Sequence, residues 1–215
     1  MDRRQLRAAK RADATGSGPT LEDWAPGRFP GVKGGFALFG EVLLTGLLVT
    51  VAGIAIVTLP AALAAGIRHL RRYLNAEASH ARLFWQDFVK ALPGGVVVGF
   101  AALVLGGLLA LDIVLANSGF LPGGAAIAVV GWAGLVVVGV ALLSSAGAWT
   151  PQLGWRAALR GVPAAVTSDF RGALFLAAAA GFVGLAAWML VPLVIPALGC
   201  AALAVVAIPE RRRTR

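Results

Sequence analysis

Residues 93–116 read PGGVVVGFAALVLGGLLALDIVLA, twenty-four positions with a single charge at Asp112. A run of about 20 apolar residues is what an α-helix needs to cross the hydrocarbon core of a bilayer. Pro93 stands at its first turn, where a missing N–H costs nothing. Working outward, four further runs have the same character. Phe36 to Gly66 is interrupted by Glu41 near its start and Pro60 near its end. Pro122 to Ala148 and Gly172 to Leu190 follow. Pro192 to Ile208 is a little short and holds Pro196, which is expected to kink it. The chain is 59% hydrophobic and 13% charged, too little polar surface for a soluble domain of 215 residues. The expectation is all-α: an integral membrane helical bundle of about five transmembrane helices with cytoplasmic amphipathic connections. One transmembrane domain, 36–208, stands between a polar tail at 1–35, expected to be disordered over its first twenty residues, and a basic tail at 209–215.

All nineteen Lys and Arg lie outside these runs, in four places: the N-terminal tail, 68–90, 156–171 and the last five residues. The breaks at 117–121 and 190–192 hold none. Basic residues are retained on the cytoplasmic side, so 68–90, 156–171 and the C-terminus are expected there, with spans 2–3 and 4–5 forming hairpins. The tail conflicts, since it holds seven cations. The rule counts charges near a span, and the gradient across span 1 favours an external N-terminus with five crossings. The rival makes span 1 re-entrant and keeps the tail inside; 31 residues are too few for two full crossings. Tyr73, Trp85, Trp149 and Trp155 flank the expected cytoplasmic boundary, where amphipathic rings settle.

The +9 net charge is explained by basic loops facing anionic headgroups, so the expected partner is the lipid bilayer and no nucleic acid. Cys200 is the only cysteine, which excludes an intrachain disulfide and a Cys-based metal site. There is no phosphate-binding Gly-rich loop, no nucleophile elbow and no His-Glu-x-x-His, so no catalytic residue, cofactor or metal is expected, and the chain is read as a non-enzyme. His69 and His80 are read as interfacial side chains, and Ser144–Ser145 as back-bonded to helix carbonyls. Two acids touch the apolar runs and are candidate functional residues, Glu41 and Asp112. Glu41 is open to the interface or to Lys33, and Asp112 to the outer headgroups.

Gly95, Gly99, Ala102, Gly106 and Ala110 form a small-residue stripe, expected to let another helix approach closely. Segment 79–92 has apolar residues at helical spacing and is read as an amphipathic helix on the inner leaflet, with Trp85 and Phe88 as candidate anchors for lipid or for a docking partner. Asp87-Phe88-x-x-Ala91-Leu92 recurs 82 residues later as Asp169-Phe170-x-x-Ala173-Leu174, a weak sign of a parallel repeat.

The run IVTLPAALAA at 56–65, its basic continuation Arg68–Arg72, and FWQDFVK at 84–90 resemble motifs of the YesL-like family of bacterial membrane proteins. Leu111-Asp112-Ile113 resembles the close of that family's second span. The chain departs from the family in its charged N-terminal tail, its Ala and Gly content, and Asn75-Ala76-Glu77 in place of an acidic Gly-Glu-Glu turn. The resemblance implies a cell-membrane protein working beside carbohydrate uptake, as an accessory or regulatory subunit of a binding-protein-dependent ABC importer whose permease would be a partner. The alternative is a small secondary transporter or channel acting alone. The resemblance brings no substrate-binding residue with it.

Overall fold

The computed structural model describes residues 35–118 and 123–210. The expected disordered tail, Lys33 and the residues after 210 lie outside them. The described chain is 87% helical and has seven helices. They are α1 (Gly35–Ala52), α2 (Leu59–Leu74), α3 (Ala81–Ala116), α4 (Gly124–Ala148), α5 (Gly154–Ser168), α6 (Phe170–Met189) and α7 (Val194–Glu210), with a 3-10 turn at Val191–Leu193 leading into α7. Five segments are long and apolar enough to cross a membrane: α1, α3, α4, α6, and Val191–Ile208. The all-α membrane bundle is therefore the fold.

The apolar run 36–66 is not one helix. It stops at Ala52, turns through 53–58 and comes back as α2. Three features make the turn. Ile56 takes φ +53°, a left-handed conformation that is rare for a β-branched residue. The Thr58 hydroxyl donates to Ala52 O at 2.7 Å. Pro60 stands in the first turn of α2, where its missing N–H is harmless. The pairing is antiparallel: Gly66 faces Val49 and Thr45, and His69 bonds Glu41. Gly35 and Leu74 thus lie at the same end of the bundle. This corrects the single crossing from an external N-terminus expected for span 1 and takes the form of the re-entrant rival. The hairpin need not reach across, because its tip meets α3 at Gly99, about halfway along that helix.

Helix α2 is the centre of the packing, touching α1, α3, α4 and α7. Every residue from Pro60 to Ile67 is buried, as expected of a helical stretch that is apolar on all sides; the basic residues of α2 all follow it, from Arg68 on. Small residues set the distances. A methyl at Gly99 would lie 2.0 Å from Val57 O, and one at Gly95 would lie 2.8 Å from Ala61 Cβ. Where α1 crosses α7, Gly46 and Gly199 do the same work against Ile195 O and Val42 O. The span 2 stripe is therefore a backbone contact over its first half. Its second half differs: Ala102 and Gly106 line a recess of about 220 Å³ with Ile56, Leu59 and Leu142, and Ala110 is exposed.

Segment 79–92 is likewise corrected. From Ala81 it continues through Pro93 as one 36-residue helix with span 2. Its apolar face lies on α2 instead of on lipid, with Phe84 fully buried. The repeated Asp-Phe motif plays two different parts. Asp87 is buried inside α3, whereas Asp169 caps α6 by accepting from Gly172 N at 2.9 Å. Phe88 is 9% exposed and Phe170 is 74% exposed.

Gly99→Leu forces a large side chain between touching backbones, which costs about 1–3 kcal/mol of overpacking. The unfolding temperature in detergent should fall, while Val97→Leu, on an exposed residue of the same helix, leaves it unchanged. The hairpin is tested on a Cys200→Ser background. Cysteines placed at 35 and 77 should label from one side of the membrane and a cysteine at 118 from the other; opposite labelling at 35 and 77 would remove the hairpin.

Candidate functional site: a buried charge cluster at the basic end

The ends of α2, α4 and α7 and the starts of α1, α3 and α6 gather at the end of the bundle that carries the basic segments. The charged residues buried there face one another. Arg68 and Arg72, one turn apart on α2, converge on Asp87 of α3. Arg68 Nε donates to Asp87 Oδ2 at 3.1 Å, and Arg72 Nη2 donates to the same oxygen. Asp87 is 4% exposed. The Arg68 guanidinium also lies over the Trp149 ring, 5.9 Å from its centroid, which fixes the loop after α4 to α2. A carboxylate in this position depends on these cations, since a buried charge without a partner is costly.

A second pair lies beside it. His69 is fully buried, with Nε2 2.8 Å from Glu41 Oε1 and its ring edge-on to Phe84. Burial holds the imidazole below its ordinary pKa, against the pull of Glu41, and Arg72 pushes in the same direction as burial. The neutral Nε2–H tautomer fits this geometry. It donates to Glu41 and leaves Nδ1 as a bare acceptor, whereas a second proton would place an N–H there with no partner. Thr45 Oγ1 and Arg72 Nη1 are also buried without a protein partner.

Aromatic residues close the cluster. Phe84, Trp85 and Phe88 pack on one another at 5.5–6.4 Å between centroids. Trp155 Nε1 donates to Ala91 O at 2.8 Å, tying α5 to α3. Among the described residues the buried polar or charged side chains are Thr45, His69, Asp87 and Ser145. Ser145 donates back to Leu142 O at 3.1 Å, as read from sequence.

The expected site residues are not brought together. Glu41 enters the cluster through His69, which had been read as interfacial. Asp112 is exposed near the far end of α3, distant from Glu41 along the bundle. Phe88 is withdrawn into the aromatic core, while Trp85 is 41% exposed. His80 is exposed at the start of α3. Asp87 was missed as a site residue. The available signal was the pair of arginines spaced four apart on a neighbouring helix, which needs an acid to face it.

These features define a polytopic all-α membrane protein knitted together at one end by ion pairs. Residues 42–113 match the family described as "Protein of unknown function, DUF624", the family of YesL-like membrane proteins. That segment is about a third of the chain, and it contains both the IVTLPAALAA and FWQDFVK runs, the hairpin return and the Arg68–Asp87–Arg72 ion pairs, with Glu41 just before its start. No curated protein and no solved structure matches the chain.

Asp87→Asn leaves two arginines facing a neutral amide. A fully buried pair loses about 3–5 kcal/mol when one partner goes; Arg68 and Arg72 keep some solvent contact, so about 2–3 kcal/mol is expected here. The thermal midpoint in detergent reads the loss, and Asp112→Asn serves as the silent control.

Proposed function

We propose that this protein is a non-enzymatic accessory or regulatory subunit of the cell membrane, acting with a binding-protein-dependent ABC importer of carbohydrate. The family resemblance supplies the link to carbohydrate uptake. The observation that favours an accessory role over independent transport is the disposition of charge. Asp87, Arg68, Arg72, Glu41 and His69 are engaged with one another at one end of the bundle. The far half of α3 carries Leu103, Val104, Leu108 and Leu111, all exposed. Such surfaces suit lipid or another membrane subunit. The basic end would face the cytoplasm under the positive-inside rule, which puts the C-terminus there. Because the α1–α2 hairpin returns to that end, the start of α1 joins it, and the seven cations before residue 35 no longer conflict with the rule. Trp85 and the exposed Arg160 of α5 are the groups offered to a cytoplasmic partner.

A small secondary transporter remains the second reading, because a broken hairpin with an intramembrane acid is a device transporters use for ion sites. Reconstitution separates the two. The protein alone in proteoliposomes should give no sugar flux, and its removal from cells should lower importer-dependent uptake. Mild-detergent purification should recover importer subunits. Flux by the isolated protein, abolished by Glu41→Gln or Asp112→Asn, would establish the transporter instead.

A further inference from the structure

A cavity of about 600 Å³ opens between the first half of α3 and the start of α5. Its lining changes character along its length. Lys90 and Arg156 stand on its rim, Trp149, Trp155 and Gly94 form its floor, and Val97, Val98 and Leu159 continue it into the apolar part of α3. From Lys90 to Val97 the helix rises about 10 Å, the span from a lipid phosphate into the upper acyl region. The ion pairs among the described residues use Arg68, His69 and Arg72 as their cations; Lys90 and Arg156 join none. The floor is preformed. Trp155 is held by its bond to Ala91 O and lies against Gly94, where even a methyl would come within 2.4 Å of the indole. Trp149 is 2% exposed. Two unpaired cations above a rigid aromatic floor that runs into an apolar slot are complementary to a molecule with one anionic head and a hydrocarbon body.

We propose that this groove is a binding site for one anionic glycerophospholipid, its phosphodiester between Lys90 and Arg156 and its first acyl carbons along Val97, Val98 and Leu159. Basic pockets between helices at the cytoplasmic face bind such headgroups, and juxtamembrane cations are attracted to anionic lipid. The site rests on the membrane reading of the fold and is independent of the accessory role. Bound there, the lipid would bridge α3 and α5 beside the Trp155–Ala91 bond.

The test is thermal unfolding of the delipidated full chain in detergent with added phosphatidylglycerol or phosphatidylcholine. Phosphatidylglycerol should raise the midpoint by about 4–8 °C over phosphatidylcholine. Lys90→Gln with Arg156→Gln should abolish that difference, and Arg160→Gln, on the same helix but outside the groove, should keep it. Leu159→Trp fills the slot with both cations in place and should also lose it; this variant decides the matter if the double substitution lowers the midpoint in phosphatidylcholine as well. Equal stabilisation by both lipids overturns the proposal, as does an Arg160→Gln loss matching that of the double variant, or a full response in Leu159→Trp. Stabilisation by inorganic phosphate alone, without lipid, would make this a site for soluble anions and overturn it too.

Discussion

A short helix enclosed by four others can carry only side chains that the spacing of its neighbours permits. Helix α2 meets that constraint with Pro60, Ala61, Ala62, Ala64, Ala65 and Gly66, all buried. Within lipid there is little hydrophobic gain from bringing helices together, so close van der Waals contact between small residues carries the association. Close approach is achieved from both sides: Gly95 of α3 lies against Ala61 and Gly99 against the turn at Val57, while Gly66 of α2 lets Thr45 and Val49 of α1 come near. The rest of the bundle is arranged around this helix.

Packing of that kind is strong but directionally permissive, because a smooth apolar surface can slide. The polar groups at the end of α2 remove the freedom. Arg68 and Arg72 accept only the register that presents Asp87, and His69 only the one that presents Glu41. Buried ion pairs contribute little net stability against an apolar replacement, yet one placed at the end of an alanine-rich helix fixes which turn meets which. Trp149, over the Arg68 guanidinium, extends the same registry to α4.

The apolar runs were legible because hydrophobicity over about 20 residues depends on nothing but composition. The break inside 36–66 was less so. Glu41 and Pro60 were visible, and so was the excess length of 31 residues, but the turn depends on Ile56 adopting a conformation that its own side chain disfavours. Tertiary contact overrode local preference there. Segment 79–92 had the right period and the wrong occupant for its apolar face. Periodicity reports that a face is buried and does not say whether lipid or α2 buries it. The Glu41–His69 pair was out of reach for the same reason: the two residues lie 28 apart and meet only because the hairpin closes. The first half of the glycine stripe was read correctly since small residues at spacings of three and four have few other uses in a membrane helix.

The hairpin changes the parity of the chain. α1 leaves the basic end and α2 returns to it, α3 and α4 repeat the excursion, and α6 and α7 make it a third time, so residues 35 and 208 emerge on one side. For a chain of even parity, insertion by successive looped pairs would deliver only the uncharged breaks to the far side. Anything joined to either end would share one compartment, and two copies fused head to tail would need no additional crossing between them.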